Sequence, residues 1–352
     1  MILNEEKLNE LIKEINKVYR KNGIESKELQ KAQESYTGLY KEIYKELLYL
    51  ISIYNIKSYA DLKKHLNPTD ERELQRLIDE NDEKGTNRTV EGLLLLFLSI
   101  TIKSHEKRRV DSVREHLTNT IYKVQNNLKE KQFINTELTA EEISEAINSS
   151  WGDGYSFKEN IKSNHTMLKA GLTAIILNSI KNNTISKVSG VEAYNSTLKL
   201  SGVEAYGSTL KLSGVEACKE NIIKEINKYL NQEASTIRTE TSRAVNSIML
   251  KQTPYEVYQK NIDGDKTYIL VTELLDTKTC SHCEEKNGDL VPEEEARVGE
   301  NVPPFHVNCR GLCIKVKKAV SKIHNSKKAV SKIHNSKANR APRITNNVVP
   351  QR

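Results

Sequence analysis

The sequence predicts a mainly α-helical fold that closes in a small α+β module at its C-terminal side. Three observations carry this. Apolar residues recur at three- and four-residue spacing through most of the first 250 residues. Thr139 and Ser156 each stand three residues ahead of a glutamate, in capping-box form. From Lys266 the texture changes to the β-type run Thr-Tyr-Ile-Leu-Val-Thr. At 352 residues the chain has room for two or three domains and a real core. Hydrophobic content of 37% with 29% charged residues fits a soluble protein. The longest apolar run, Leu93 to Leu98 extended to Ile102, is too short to span a bilayer, so no membrane segment is expected. The acidic N-terminus lacks the basic-then-apolar order of a secretory signal, so the expected site of synthesis is the cytoplasm, with reduced thiols.

Residues 1–138 read as an N-terminal helical region. Tyr36, Tyr40 and Tyr44 recur beside Leu39, Ile43, Leu47 and Leu48 and predict an aromatic-aliphatic stripe on one helix face. Ser58 to Asp61 resembles a helix start, Asn67-Pro68 and the polar 81–89 segment mark breaks, and Val90 to Ile102 predicts a strongly buried helix. Residues 139–250 form a second helical block. The Thr139 helix stops near Ser150, and the Trp151 turn holds the single tryptophan, read as a packing anchor between helices. The Ser156 box then opens a helix with Phe157, Ile161, Leu168, Leu172, Ile175 and Ile176 on one face. Arg238, Glu240 and Arg243 can form a charged cluster, with an ordinary exposed salt-bridge face as the favoured reading from spacing alone.

A 12-residue unit repeats three times as an insertion at 187–222, and KKAVSKIHNS occurs twice without change at 317–326 and 327–336. Near-identity between neighbours points to tandem duplication rather than a solenoid. The first array lengthens a connection or adds turns to a helix; the second lengthens a basic tail, read as disordered over 317–352. From Lys315 to Arg352 the chain carries +11 with no Asp or Glu, leaving −4 on residues 1–314. Such a tail either binds DNA or another polyanion by counterion release or is simply solvated.

Four of the five cysteines fall between Cys280 and Cys313. The spacing Cys280-x2-Cys283-x22-His306-x2-Cys309 gives two half-sites of the kind that close a tetrahedron around Zn2+, so residues 251–316 are expected to be a zinc-binding α+β module. Cys280, Cys283 and Cys309 are the firmest ligands, His306 is the preferred fourth, Cys313 is the alternative fourth, and His282 is a weak further candidate. Reduced cysteines packed in a core, and disulfides, are the competing readings. Four protein ligands leave zinc no open position, which points to a structural metal and not to an enzyme. Asn287-Gly288 is expected to fold the chain back as a hairpin, and Pro303-Pro304 to stiffen the approach to the second half-site. A zinc deaminase would need Pro-Cys-x-x-Cys after His-x-Glu; His282-Cys283-Glu284 is present, but Asn308-Cys309 and the x3 spacing to Cys313 break the second half.

These residues resemble the phage head morphogenesis family, the minor head or minor capsid proteins, whose members include protein F of phage Mu. The resemblance rests on Thr272-Glu273-Leu274-Leu275-Asp276 leading into Thr279-Cys280 and Cys283, then Gly288, Gly299, Pro303-Pro304, His306 and Cys309-Arg310. Upstream, Trp151 to Phe157 and Arg238-Thr239-Glu240 with Arg243 and Asn246 follow the family's order. It covers about residues 145–316. One departure is Gly311, where family members often end the motif in Cys-Arg-Cys.

The resemblance implies a low-copy component of a virion or procapsid, assembled in the host cytoplasm and bound near the portal. The implied partners are the portal and other head proteins, with DNA touched by the 315–352 tail. Arg310 is expected to anchor the module to a neighbouring carboxylate. The competing classes are a zinc-containing DNA-binding protein and a zinc hydrolase or deaminase.

Overall fold

The computed structural model describes residues 5–17, 24–83, 85–134, 136–150, 154–182, 215–257, 266–273 and 279–318. The turn at Trp151, repeat residues 187–214, Asp276 and tail residues 319–352 lie outside the described residues.

The chain is mainly helical with a small sheet near its C-terminal end. The helices are α1 (Glu5–Asn16), α2 (Ile24–Ile53), α3 (Tyr59–Leu62), α4 (Pro68–Asn81), α5 (Val90–Glu130), α6 (Ala140–Asn148), α7 (Phe157–Lys181) and α8 (Val215–Lys251). Strands β1 (Tyr255–Val257) and β2 (Thr267–Thr272), the short helix α9 (Ser281–Lys286), β3 (Leu290–Pro292) and β4 (Leu312–Lys318) complete the order. The described residues fall into two compact units. One comprises those of Met1–Lys31, Val110–Ile161 and Glu233–Thr345, and the other those of Ala32–Arg109 and Lys162–Gln232.

Local chemistry sets the helix ends. The Asn67 side chain accepts from the amides of Thr69 (3.0 Å) and Asp70 (2.9 Å), and Pro68 occupies the first turn, where its missing N–H costs nothing. The break read at Asn67-Pro68 is therefore also a start. Thr139 accepts from Glu142 N–H at 3.2 Å while the Glu142 carboxylate takes the Thr139 amide at 3.0 Å, which closes the expected box. Ser156 and Glu159 repeat it at the head of α7.

In the unit of residues 32–109 and 162–232, the core line on α2 runs Tyr36, Leu39, Ile43, Leu47 and Leu50. The tyrosine stripe packs against this core, with Tyr36 fully buried and Tyr40 and Tyr44 only partly so. Only Tyr36 lies on that line; Tyr40 and Tyr44 sit at its edge and stack on each other with centroids 5.8 Å apart. A helix turns 3.6 residues per cycle, so a strict four-residue series drifts off the buried face. Against this line pack Leu93 to Leu98 of α5, Leu168, Leu172 and Ile176 of α7, and Ile222, Ile226 and Tyr229 of α8. Residues 215–222 of the last 12-residue repeat are the first turns of α8, and Cys218 is buried among its core neighbours.

This core also holds a polar pair. His105 Nδ1 lies 2.8 Å from His165 Nε2, His105 Nε2 lies 3.0 Å from Ser35 Oγ, and Tyr36 packs edge-on against His105 at 4.7 Å. Both imidazoles are essentially fully buried. Burial, the neighbouring His165, and Arg109 and Arg108 hold His105 down to about 2.

In the other unit, Leu11 and Ile15 of α1, Val113, Leu117 and Ile121 of α5, Ile143 and Ile147 of α6, and Ile237, Val245 and Ile248 of α8 are buried. Arg243 and Glu240 are buried too, which corrects the reading of this cluster as an exposed face. Arg243 Nη2 lies 2.6 Å from the Glu240 carboxylate and donates to the Ile147 carbonyl at 3.0 Å, and Nη1 reaches Ser149 Oγ. A buried guanidinium is tolerated because it is paired and its remaining donors are satisfied. Those acceptors sit at the C-terminal end of α6, more than 90 positions away in sequence, so local spacing could not show them.

The sheet has strand order β1-β4-β2-β3, with β1 parallel to β4 and the other pairs antiparallel. Ile269 and Val271 of β2, Cys313 of β4, Val291 of β3 and Val302 form its small core. The hairpin expectation at Asn287-Gly288 needs revision. Gly288 has φ +89, but Asn287 is in an extended conformation and caps α9. The turn closes α9 and delivers β3 to β2 through Gly288 N–H to Val271 O at 2.8 Å. The basic segment read as a tail from Lys315 begins inside β4, where Lys315 Nζ pairs with Glu293 at 2.6 Å.

Candidate metal centre

The donors come from three pieces of chain positioned by α8 and β2. Cys280 caps α9, accepting from Cys283 N–H at 3.5 Å, and Cys283 sits one turn into that helix. A Cys-x2-Cys pair spanning a helix start puts both sulfurs on one side, which is why the spacing suits a metal. His306 and Cys309 lie on the loop between Val302 and β4, with the His306 carbonyl accepting from Cys309 N–H at 3.0 Å.

A polar stripe on α8 holds that loop. Ser235, Thr239, Ser242 and Asn246 are spaced four, three and four residues apart, so they line one helix face. Thr239 Oγ1 accepts from Asn308 N–H at 2.8 Å, and Asn308 Nδ2 donates to Ser235 Oγ at 3.1 Å. Ser242 Oγ and Asn246 Nδ2 both donate to the Gly311 carbonyl at 3.0 Å, and Asn246 Oδ1 accepts from Cys313 N–H at 3.0 Å. Asn308 takes φ +66, a left-handed conformation that asparagine tolerates better than most residues, so the loop can turn between the two ligand positions. Asn246→Ala strands the Cys313 N–H and leaves the Gly311 carbonyl to Ser242 alone; the expected cost is about 2 kcal/mol, read by chemical denaturation, with Asn246→Asp recovering only the acceptor half.

The gathered donors share one residue. His306 Nε2 lies 3.1 Å from Cys280 Sγ and 3.0 Å from Cys283 Sγ, and Cys283 Sγ lies 3.8 Å from Cys309 Sγ. His306 Nδ1 is 2.8 Å from the Val307 carbonyl, so it carries the proton and leaves Nε2 as the free donor atom. The four sequence candidates Cys280, Cys283, His306 and Cys309 thus come together around Cys283. Cys313 does not join them. It is fully buried in the sheet core opposite Val271, because the two-residue period of β4 turns it to that face. His282 packs edge-on against Phe305 at 5.4 Å, and Glu284 is exposed on α9.

Glu273 was not among the sequence-derived ligands. It follows β2 directly, on the same face as Ile269 and Val271, and is 6% exposed. Its amide is held by Asn287 Oδ1 at 2.9 Å. A Glu273 carboxylate oxygen and the sulfurs of Cys283 and Cys309 all lie within 4.8 Å of one another, forming a second donor group that shares Cys283 with the first. The only sequence signal was the phase: a carboxylate continuing the apolar face of a strand.

The electrostatics favour a cation here. Burial, then the charges of Cys309 and Cys280, push the Glu273 carboxyl up to about 9. The Cys283 thiol is pushed up by its hydrogen bond to Cys309 and by burial, while that same bond lowers Cys309 to about 6. For His306, burial acts to lower the pKa, but its bond to the Val307 carbonyl and the nearby Cys309 and Cys280 outweigh it and raise it. The thiols and the carboxyl crowded into this half-buried pocket repel one another once ionised, and a neutral imidazole Nε2 sits beside them; a divalent ion removes the conflict among the anions, and a sulfur-rich set suits zinc. All five cysteines are free thiols.

No curated protein and no solved structure matches the chain. Residues 213–314 do match the family model described as Phage Mu protein F like protein. That match supports a phage head morphogenesis resemblance over the stretch that runs from α8 through the Cys/His loop into β4.

Proposed function

We propose that this chain is a minor head protein of a phage or prophage, acting in head assembly near the portal, with a closed zinc centre that fixes its C-terminal sheet against α8. The observation that supports it is a coincidence of extent: the family match at 213–314 covers α8, with its polar stripe, and every gathered donor. Bound zinc would supply a cross-link between α9, the 302–311 loop and the end of β2. The residues of the chain do the rest. Ser235, Thr239, Ser242 and Asn246 orient the loop, and His306 presents Nε2. Protein donors fill a tetrahedral sphere, so the role is structural and not catalytic. For the assembly role, particles purified from cells making the encoding phage are expected to contain the chain in low copy, and deleting its gene is expected to reduce complete heads. Normal heads in its absence, with none of it in particles, would overturn the assignment.

A basic segment supports DNA contact as an added property. Residues 319–352 carry most of the +11, and Lys315 and Lys317 belong to β4. Truncation after Lys318 therefore leaves the sheet intact. The expected result is loss of a DNA affinity that falls steeply with salt; unchanged binding would move that activity elsewhere.

A further inference from the structure

We propose that Glu273 is itself a ligand of the metal centre, entering from the buried side, so that the pocket holds five donors for four positions and His306 is the replaceable one. This rests on the metal reading above. Three observations that involve no titration carry it. First, Glu273 is more than nine-tenths buried, and its Oε1 has no hydrogen-bond partner. A buried carboxylate oxygen left unpaired is costly; the same carboxyl is hydrogen-bonded to Cys283 and has an oxygen within 4.8 Å of the Cys283 and Cys309 sulfurs, where an ion would engage it.

Second, the fold makes room for it. The β2–β4 register pairs Val271 with Cys313 and Thr272 with Leu312, and continuing it brings Glu273 opposite Gly311. A Cβ at 311 would stand 2.3 Å from Glu273 Oε1 and 2.7 Å from Pro303 Cβ. The carboxyl occupies space that exists because residue 311 has no side chain. Third, the two donor groups differ in position. Glu273, Cys283 and Cys309 are all buried, whereas Cys280 and His306 are more exposed. His306 lies on the rim beside exposed Val307, and Glu273 lies inside.

The test uses full-length, reduced protein loaded with zinc or cobalt. His306→Ala is expected to keep about one metal per chain, with the cobalt form retaining thiolate charge-transfer bands. Adding Glu273→Gln to His306→Ala is expected to lower metal affinity by about 100-fold or more, read by chelator competition. If His306→Ala alone loses the metal as completely as the double variant, Glu273 is no ligand and the inference fails while the zinc reading stands. If the unsubstituted protein holds no metal at all, the zinc reading itself fails. Should Glu273→Gln disturb folding, Gly311→Ala in the His306→Ala background displaces the same carboxyl by its Cβ, and unchanged affinity there overturns the inference.

Discussion

With zinc in the proposed centre, Cys283→Ser is expected to strip the metal from the full-length protein and loosen residues 279–318, while Cys313→Ser is expected to leave the metal in place. The contrast follows from position. Cys283 belongs to both donor groups, with His306 Nε2 at 3.0 Å on one side and Cys309 Sγ at 3.8 Å on the other. No rearrangement of the remaining donors restores a shared centre. Structural zinc contributes on the order of 10–16 kcal/mol of apparent binding free energy. The sheet core beneath it is small, built around Ile269, Val271, Val291, Val302 and Cys313, so loss of even part of that contribution is decisive for this region. Elemental analysis gives the stoichiometry, and hydrogen exchange locates the loosening. At Cys313 the same substitution buries a hydroxyl in an apolar site and costs about 1–3 kcal/mol, with metal content unchanged. Equal metal retention in both variants would remove Cys283 from the centre.

Acid is expected to weaken the helical unit of residues 32–109 and 162–232 through the His105–His165 pair. As neutral rings they share one proton along the 2.8 Å Nδ1···Nε2 line; with both protonated, two N–H groups face each other in a dry core beside Arg108 and Arg109. His105 titrates in the unfolded chain near 6.5 but only at about 2 when folded. Its folded value is the depressed one, so the unfolded state binds the extra proton. The contribution is complete above about pH 6.5 and is lost progressively as pH falls toward the folded value, by about 1.4 kcal/mol per pH unit. Between pH 6.5 and 4.5 that is about 2 kcal/mol. Denaturation followed at both pH values should show the drop, and His105→Gln, which keeps a polar group for Ser35 without titrating in this range, should flatten it. An equally steep dependence in that variant would assign acid sensitivity to other groups.

The centre's sequence-legible part is its short-range part. Cys280 and Cys283 lie within one helix start, and His306 and Cys309 within one loop, so spacing alone brings each pair together. His306 and Cys313 were both candidates in sequence; the alternation of β4 turns Cys313 into the sheet core, away from the other donors. Glu273 and the α8 stripe escaped because their placement depends on distant register and packing, such as Gly311, 38 positions from Glu273, and Cys313, 67 positions from Asn246. Arg243 was misplaced to the surface for the same reason: a guanidinium reads as exposed until α6 supplies its acceptors.

The sequence by itself determined the helical class, the capping boxes at Thr139 and Ser156, the β-type run at 267–272 and the Cys/His half-sites, since each follows from interactions within a few residues. Tertiary structure decided which line of α2 is core, that His105 meets His165, that Asn246 joins Gly311 to Cys313, and that the space above Gly311 belongs to Glu273. Those outcomes depend on register and packing between distant segments, where burial turns an ordinary polar side chain into one that must find a partner.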